Sequence, residues 1–115
     1  MIDWTRVAQL HDEIGDAGFS EILEVFLEEM EGIVAPLRGT PDPAQLEMTL
    51  HAMRGGLLNL GFTDTTTLCR EGEALAAQGH ADRIDTALIV QSYDAACRVF
   101  LSEVAQRLGS DVSAR

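Results

Sequence analysis

Leu46-Glu47-Met48-Thr49-Leu50-His51-Ala52-Met53-Arg54-Gly55-Gly56-Leu57-Leu58-Asn59-Leu60-Gly61 holds two apolar stripes on what its spacing makes a helix. At about 100° per residue, Leu46, Leu50, Met53, Leu57 and Leu60 fall within about 40° of one line, a core seam. His51 lies about 140° away from that seam and points outward. Met48, Gly55 and Leu58 share its face, with Arg54 at one edge. A solvated helix face carries Glu, Lys and Gln, whereas this one sets a histidine among Met, Leu and Gly. Two adjacent glycines inside a helix cost about 1–2 kcal/mol relative to alanines, so something offsets them. Two accounts fit the pattern. Either Gly55 clears an approach to an outward imidazole, with Met48 and Leu58 as a docking patch; or the helix is central, its glycines serve close packing, and His51 is hydrogen-bonded inside.

The flanking segments are also helical. Upstream, Asp42 is placed to cap the helix with Pro43 at its first position, after a break at Gly39 and Pro41. Before the break, a helix over about residues 18–37 carries Ile22, Leu23, Phe26, Leu27, Met30, Ile33, Val34 and Leu37, a stripe wide enough for two neighbours. Glu21, Glu24, Glu28 and Glu31 face away from it. A first short helix runs from its cap Asp3 to Ile14, with Trp4, Val7, Leu10 and Ile14 on one side, and stops at Gly15. Downstream, a helix over about 63–78 stops at Gly79. A last one starts near Asp82 and runs to Leu108, with Val90, Tyr93, Cys97, Leu101, Val104 and Leu108 as its apolar line. No segment alternates with the two-residue period of a strand. The expectation is all-α: an antiparallel four-helix bundle with a short additional N-terminal helix, closing as a monomer. Residues 1–109 form the domain and 110–115 a frayed C-terminal tail. The Met start and that tail favour a whole protein over a piece of a larger kinase.

The hairpin around Phe62 adds a second residue to the outward face. Residues equidistant from its turn lie level, so Gly55 is level with Cys69 and His51 with Glu73. The core stripe Leu68, Cys69, Gly72, Leu75 and Ala76 leaves Glu73 on its flank. Glu73 is then either a solvated acid or a partner for Nδ1–H that leaves Nε2 unprotonated and nucleophilic.

Composition narrows the function classes. At 115 residues the chain is one domain and needs no metal or disulfide to fold. Its 8 basic and 19 acidic residues give a charge of −11, which argues against nucleic acid and against an anionic membrane surface as partner. No apolar run reaches membrane-spanning length, and Met-Ile-Asp-Trp-Thr-Arg lacks the plan of a signal peptide. Cys69 and Cys97 have no metal-ligand spacing and read as buried thiols in a reducing cytoplasm. His11 and His80 read as surface residues, and the three histidines share no i, i+4 spacing, so no metal is expected. Asp12, Glu13, Glu28, Glu29 and Glu31 read as solvated faces. There is no phosphate-cradling glycine loop with a Walker-type lysine, hence no nucleotide site.

The stretch His51-Ala52-Met53-Arg54-Gly55-Gly56-Leu57-Leu58-Asn59-Leu60-Gly61 resembles the signature of histidine phosphotransfer (Hpt) domains: His, then Lys-Gly three and four positions on, then an apolar residue and Gly. The paired glycines, Gly61-Phe62-Thr63 and the acid at Glu73 look like the phosphotransfer domain of chemotaxis histidine kinases. Cys69 stands where many stand-alone members have Cys. The helix plan agrees, so the resemblance spans nearly the whole chain. It implies that His51 is a phosphoacceptor, served by Arg54 and Glu73, with Met48, Gly55, Gly56 and Leu58 meeting the partner. His51 would take a phosphoryl group from a receiver-domain aspartate and pass it to another receiver. Partners would be response-regulator receivers or a hybrid histidine kinase, with Mg²⁺ held by the receiver and no cofactor on this chain. Two departures stand out: Arg54 replaces the usual Lys, exchanging a point charge for a planar fork, and Gly56 stands where many members have Ser. A phosphorylation-independent docking module on the same bundle is the competing class, and a hydrolytic or metal enzyme lacks a second catalytic residue.

Overall fold

The computed structural model describes residues 2–109; the expected tail over 110–115 lies outside the described residues. Four α-helices follow one another: α1 (Trp4–Arg38), α2 (Leu46–Asn59), α3 (Thr63–Ala77) and α4 (Thr86–Leu108), with 3₁₀ turns at Pro43–Gln45 and Ala81–Arg83. The described residues hold no strand, only an isolated bridge between Ile2 and Phe62. The fold of the described residues is all-α.

All five residues of the α2 seam, Leu46, Leu50, Met53, Leu57 and Leu60, are buried. Asp42 caps the entry, its Oδ1 accepting from the Ala44 N–H at 3.0 Å. Pro43 opens a 3₁₀ turn there, and α2 proper starts at Leu46.

α1 runs through the expected pair of helices, which meet at a kink at Gly15. It is one 35-residue element in which Gly15 alone leaves helical geometry, at φ 76° and ψ 175°. That left-handed φ is open to a residue without Cβ, so the chain bends and resumes without a connecting loop. His11, expected on the surface, is half-buried across the bend. Its ring meets Phe19 edge-on at 5.5 Å, and its Nε2 bonds Asp16. Ile22 is a second correction: it belonged to the predicted core stripe and is exposed. The stripe is wider than the α2 and α4 surfaces that α1 packs against.

α4 starts at Thr86 rather than near Asp82, because Ile84 is extended (φ −78°, ψ 124°) and Asp85 is the residue whose Oδ1 accepts from the Leu88 N–H. Its buried line is Ile89, Tyr93, Ala96, Phe100 and Val104, shifted from the predicted one: Leu101 is exposed, and Val90 and Cys97 are half-buried. Both lines fit a 3.6-residue period. Phe100 wins because it stacks on Trp4 at 5.4 Å and meets Phe62 at 5.5 Å, burying more apolar surface than Leu101 would.

α2 packs on α3, α1 on α2 and α4, and α3 on α4, around one apolar core. Where α2 crosses α3, a Cβ on Gly72 would lie 2.6 Å from Leu50 Cδ1. α3 also buries Thr65 and Thr66, which the pattern missed. Thr66 Oγ1 donates to the Phe62 carbonyl at 2.6 Å, and Thr65 Oγ1 bonds Ser92 Oγ at 2.7 Å. This close α2–α3 hairpin positions the site.

Candidate functional site

The hairpin reverses over Leu60-Gly61-Phe62. Gly61 takes φ 70°, its N–H donates to the Leu58 carbonyl, and the Phe62 N–H donates to the Leu57 carbonyl at 3.1 Å. That register brings Glu73 of α3 to His51 of α2. Glu73 Oε1 lies 2.9 Å from His51 Nδ1. The imidazole is 71% exposed while the carboxylate is only 15% exposed, so the ring reaches solvent from an anchored edge.

Arg54, one turn after His51, closes the network. Its Nε donates to Glu73 Oε2 at 2.5 Å, its Nη2 donates to Oε1 at 3.3 Å, and the same Nη2 stands 3.3 Å from His51 Nδ1. Burial disfavours a charge on Glu73, but hydrogen bonds from Arg54 and His51 outweigh it and hold the carboxyl below its usual range. An ionised carboxylate only accepts, so a neutral ring that bonds it donates from Nδ1 and has its lone pair on Nε2. The bond to Glu73 in turn raises the Arg54 guanidinium further above its ordinary value. Cys69 lies one turn before Glu73, fully buried; burial, with help from the Glu73 charge, pushes its thiol up to about 12. It remains a protonated, unreactive packing residue.

The two glycines of α2 face different surroundings. A Cβ on Gly55 would meet nothing within 4 Å, whereas one on Gly56 would fall 2.6 Å from Met30 Cε and 3.8 Å from Phe26 Cε1. Gly56, grouped by sequence with the docking residues, is half-buried: it packs against Met30 of α1 and also lines a cleft beside Ile22 and Val25. Met48 and Leu58 are exposed. Met48, Ala44, Glu47 and Glu73 frame a shallow depression of about 320 Å³ around His51.

Two exposed apolar residues elsewhere were not anticipated. Ile22 and Val25 of α1 are exposed and line a cleft of about 350 Å³ with Phe26, Gly56 and Leu60. The excess width of the α1 stripe was the signal that could have revealed Ile22, while Val25 stood outside the stripe. Among the described residues the exposed large hydrophobics are thus Ile22, Val25, Met48 and Leu58 on α1 and α2, against Leu88 and Leu101 on α4. Another cleft, of about 430 Å³, opens near the turn between Arg6, Leu58, Thr66 and Arg70, and no histidine or cysteine lines it. His80 is exposed in the turn before α4. Among the described residues no group of three or more His, Cys, Asp and Glu is placed to hold a metal, and no helix is long and apolar enough to cross a membrane.

A family model described as the Hpt domain matches residues 21–107. No curated protein and no solved structure matches the chain.

Proposed function

This chain belongs to the Hpt domain family, whose members carry a phosphoryl group on a histidine in phosphorelays and are not kinases, and from that premise we propose that His51 is the phosphoacceptor and that receiver domains are both its donor and its recipient. The observation that carries this reading is the exposed imidazole whose Nδ1 is engaged by an ionised carboxylate at 2.9 Å. Such a ring presents a fixed lone pair on Nε2 to an incoming partner.

In the forward step the Nε2 lone pair attacks the phosphorus of an aspartyl phosphate on a receiver. The N–P bond forms as the P–O bond breaks, and the aspartate leaves as carboxylate. The proton stays on Nδ1, so the ring becomes cationic and the Glu73 carboxylate compensates it. In the return step a second receiver's aspartate attacks phosphorus, the N–P bond breaks, and neutral His51 is restored. Mg²⁺ held by the receiver would offset charge on the transferring group, which leaves this chain to supply position and access. Met48, Gly55 and Leu58 form the approach, extended by Ile22 and Val25.

The same reading makes the fold an antiparallel four-helix bundle, with the segment before Gly15 as a short additional helix. Cross-helix contacts that run in opposite sequence order support it: Thr65 with Ser92, and Gly72 with Ile84 and Ile89. The chain acts as a monomer in the cytoplasm, where kinases and receivers exchange phosphate.

The test is transfer of radiolabelled phosphate from a panel of phosphorylated receivers with Mg²⁺, comparing wild type with His51→Gln. Acid-labile, base-stable label on wild type alone is the expected result. Tight binding of a receiver with no label on either protein would replace the carrier with a docking module.

A further inference from the structure

Arg54 has two obvious uses beside a phosphorylated histidine: it can touch the phosphoryl oxygens, or it can hold the residue that holds the ring. The geometry decides between them. Two of the three guanidinium contacts fall on Glu73, Nε on Oε2 and Nη2 on Oε1. The nitrogen of His51 that Arg54 approaches, at 3.3 Å, is Nδ1. Nε2, which would bear phosphorus, is on the opposite edge of the ring. To reach a phosphoryl group Arg54 would have to abandon a charged, two-point clamp on a carboxylate that is only 15% exposed.

We propose that Arg54 is a positioning residue that never contacts the phosphoryl group: it clamps Glu73, and through Glu73 fixes the orientation and tautomer of His51. This rests on the reading that His51 is the acceptor. The physical need for the clamp comes from burial. A carboxyl drawn out of water tends to keep its proton. A protonated Glu73 would donate to Nδ1, which moves the ring's own proton to Nε2 and removes the nucleophile. Arg54 prevents this by supplying two N–H donors to one carboxylate, a match that the single ammonium of a lysine does not reproduce. The arginine found where Hpt domains usually have lysine is thereby accounted for.

The test reads the tautomer directly. Long-range ¹H–¹⁵N spectra of the imidazole would be recorded for wild type, Arg54→Lys, Arg54→Gln and Glu73→Gln. In parallel, each would be phosphorylated by phosphoramidate, a small donor whose P–N bond breaks to release ammonia as the Nε2–P bond forms. Wild type should show the proton on Nδ1. Arg54→Gln should shift His51 toward the mixed tautomers of a free imidazole, with Arg54→Lys between the two. Its rate should fall roughly ten- to a hundredfold, as when a reacting group loses its orientation. The double variant Arg54→Gln/Glu73→Gln should be no slower than Glu73→Gln alone, because both act on one element. An unchanged tautomer in Arg54→Gln, with rate losses that multiply in the double variant, would overturn the proposal and put Arg54 on the phosphoryl group. Failure of every receiver to label wild type would sink the carrier reading, yet the tautomer comparison would still decide the role of Arg54.

Discussion

Gly55 and Gly56 are adjacent and ask for opposite experiments. Leucine at Gly55 enters open space and gains about 0.5–1 kcal/mol of helix propensity, so the melting temperature should rise slightly. Transfer from a receiver should nonetheless slow by roughly an order of magnitude or more, because the new side chain stands one turn from His51. Leucine at Gly56 must displace Met30, an overpacking that costs about 1–3 kcal/mol and lowers the melting temperature. Circular dichroism melts and transfer rates separate the two; equal behaviour of both variants would end the division of labour. Glu73 gives a pH prediction. Its carboxyl lies below the ordinary 4.5 despite burial, through the bonds from Arg54 and His51. A depressed carboxylate contributes stability that is present above its ordinary value and lost as pH falls through the lowered one. The stability difference between wild type and Glu73→Gln should therefore be constant near neutrality and shrink on acidification below pH 4.5; a difference independent of pH would mean the carboxylate is not held. The outward angle of His51 was legible because helical period alone sets it. The separate tasks of the glycines were not, since an angle on α2 says nothing of which α1 side chain comes to meet it.

The α2–α3 hairpin is the element on which the site depends, and Gly61 is its tightest point. Its φ is +70°, and a Cβ would fall 2.7 Å from the Asp3 carbonyl oxygen. Gly61→Ala should cost about 1–3 kcal/mol, from left-handed strain and the displaced N-terminus. The Asp3 N–H, which donates to the Gly61 carbonyl at 2.7 Å, should then exchange with solvent faster than in wild type; unchanged protection would show that this hydrogen bond is not what ties the N-terminus to the turn. Elements differed in how far the sequence exposed them. The α2 seam was legible to the residue because its five apolar positions admit a single helical line. On α4, two lines satisfied the same period, and only the aromatic stack of Trp4, Phe100 and Phe62 selects one. At Gly15 the stop signal marks a kink between two helical segments; what a stop signal does not show is that they follow without a loop, stitched by His11, Asp16 and Phe19.

Over the whole molecule, an acidic body of charge −11 presents most of the exposed large apolar side chains of the described residues on α1 and α2, and α2 carries His51, the proposed phosphoacceptor. Charge alone does not place a partner; an uncovered apolar face beside a nucleophile does. If that face is the receiver footprint, docking and chemistry can be separated by donor size. Ile22→Asp/Val25→Asp alters two exposed side chains, so the fold should survive. Replacing an apolar side chain that an interface desolvates costs about 1–3 kcal/mol, so receiver affinity and the rate of transfer at limiting receiver should fall roughly ten- to a hundredfold. Phosphoramidate needs no docking face and should label His51 in the double variant at the wild-type rate. Equal loss with both donors would mean that the aspartates disturb the His51–Glu73–Arg54 network; equal retention would take α1 out of the footprint and leave Met48 and Leu58 of α2 to hold the receiver.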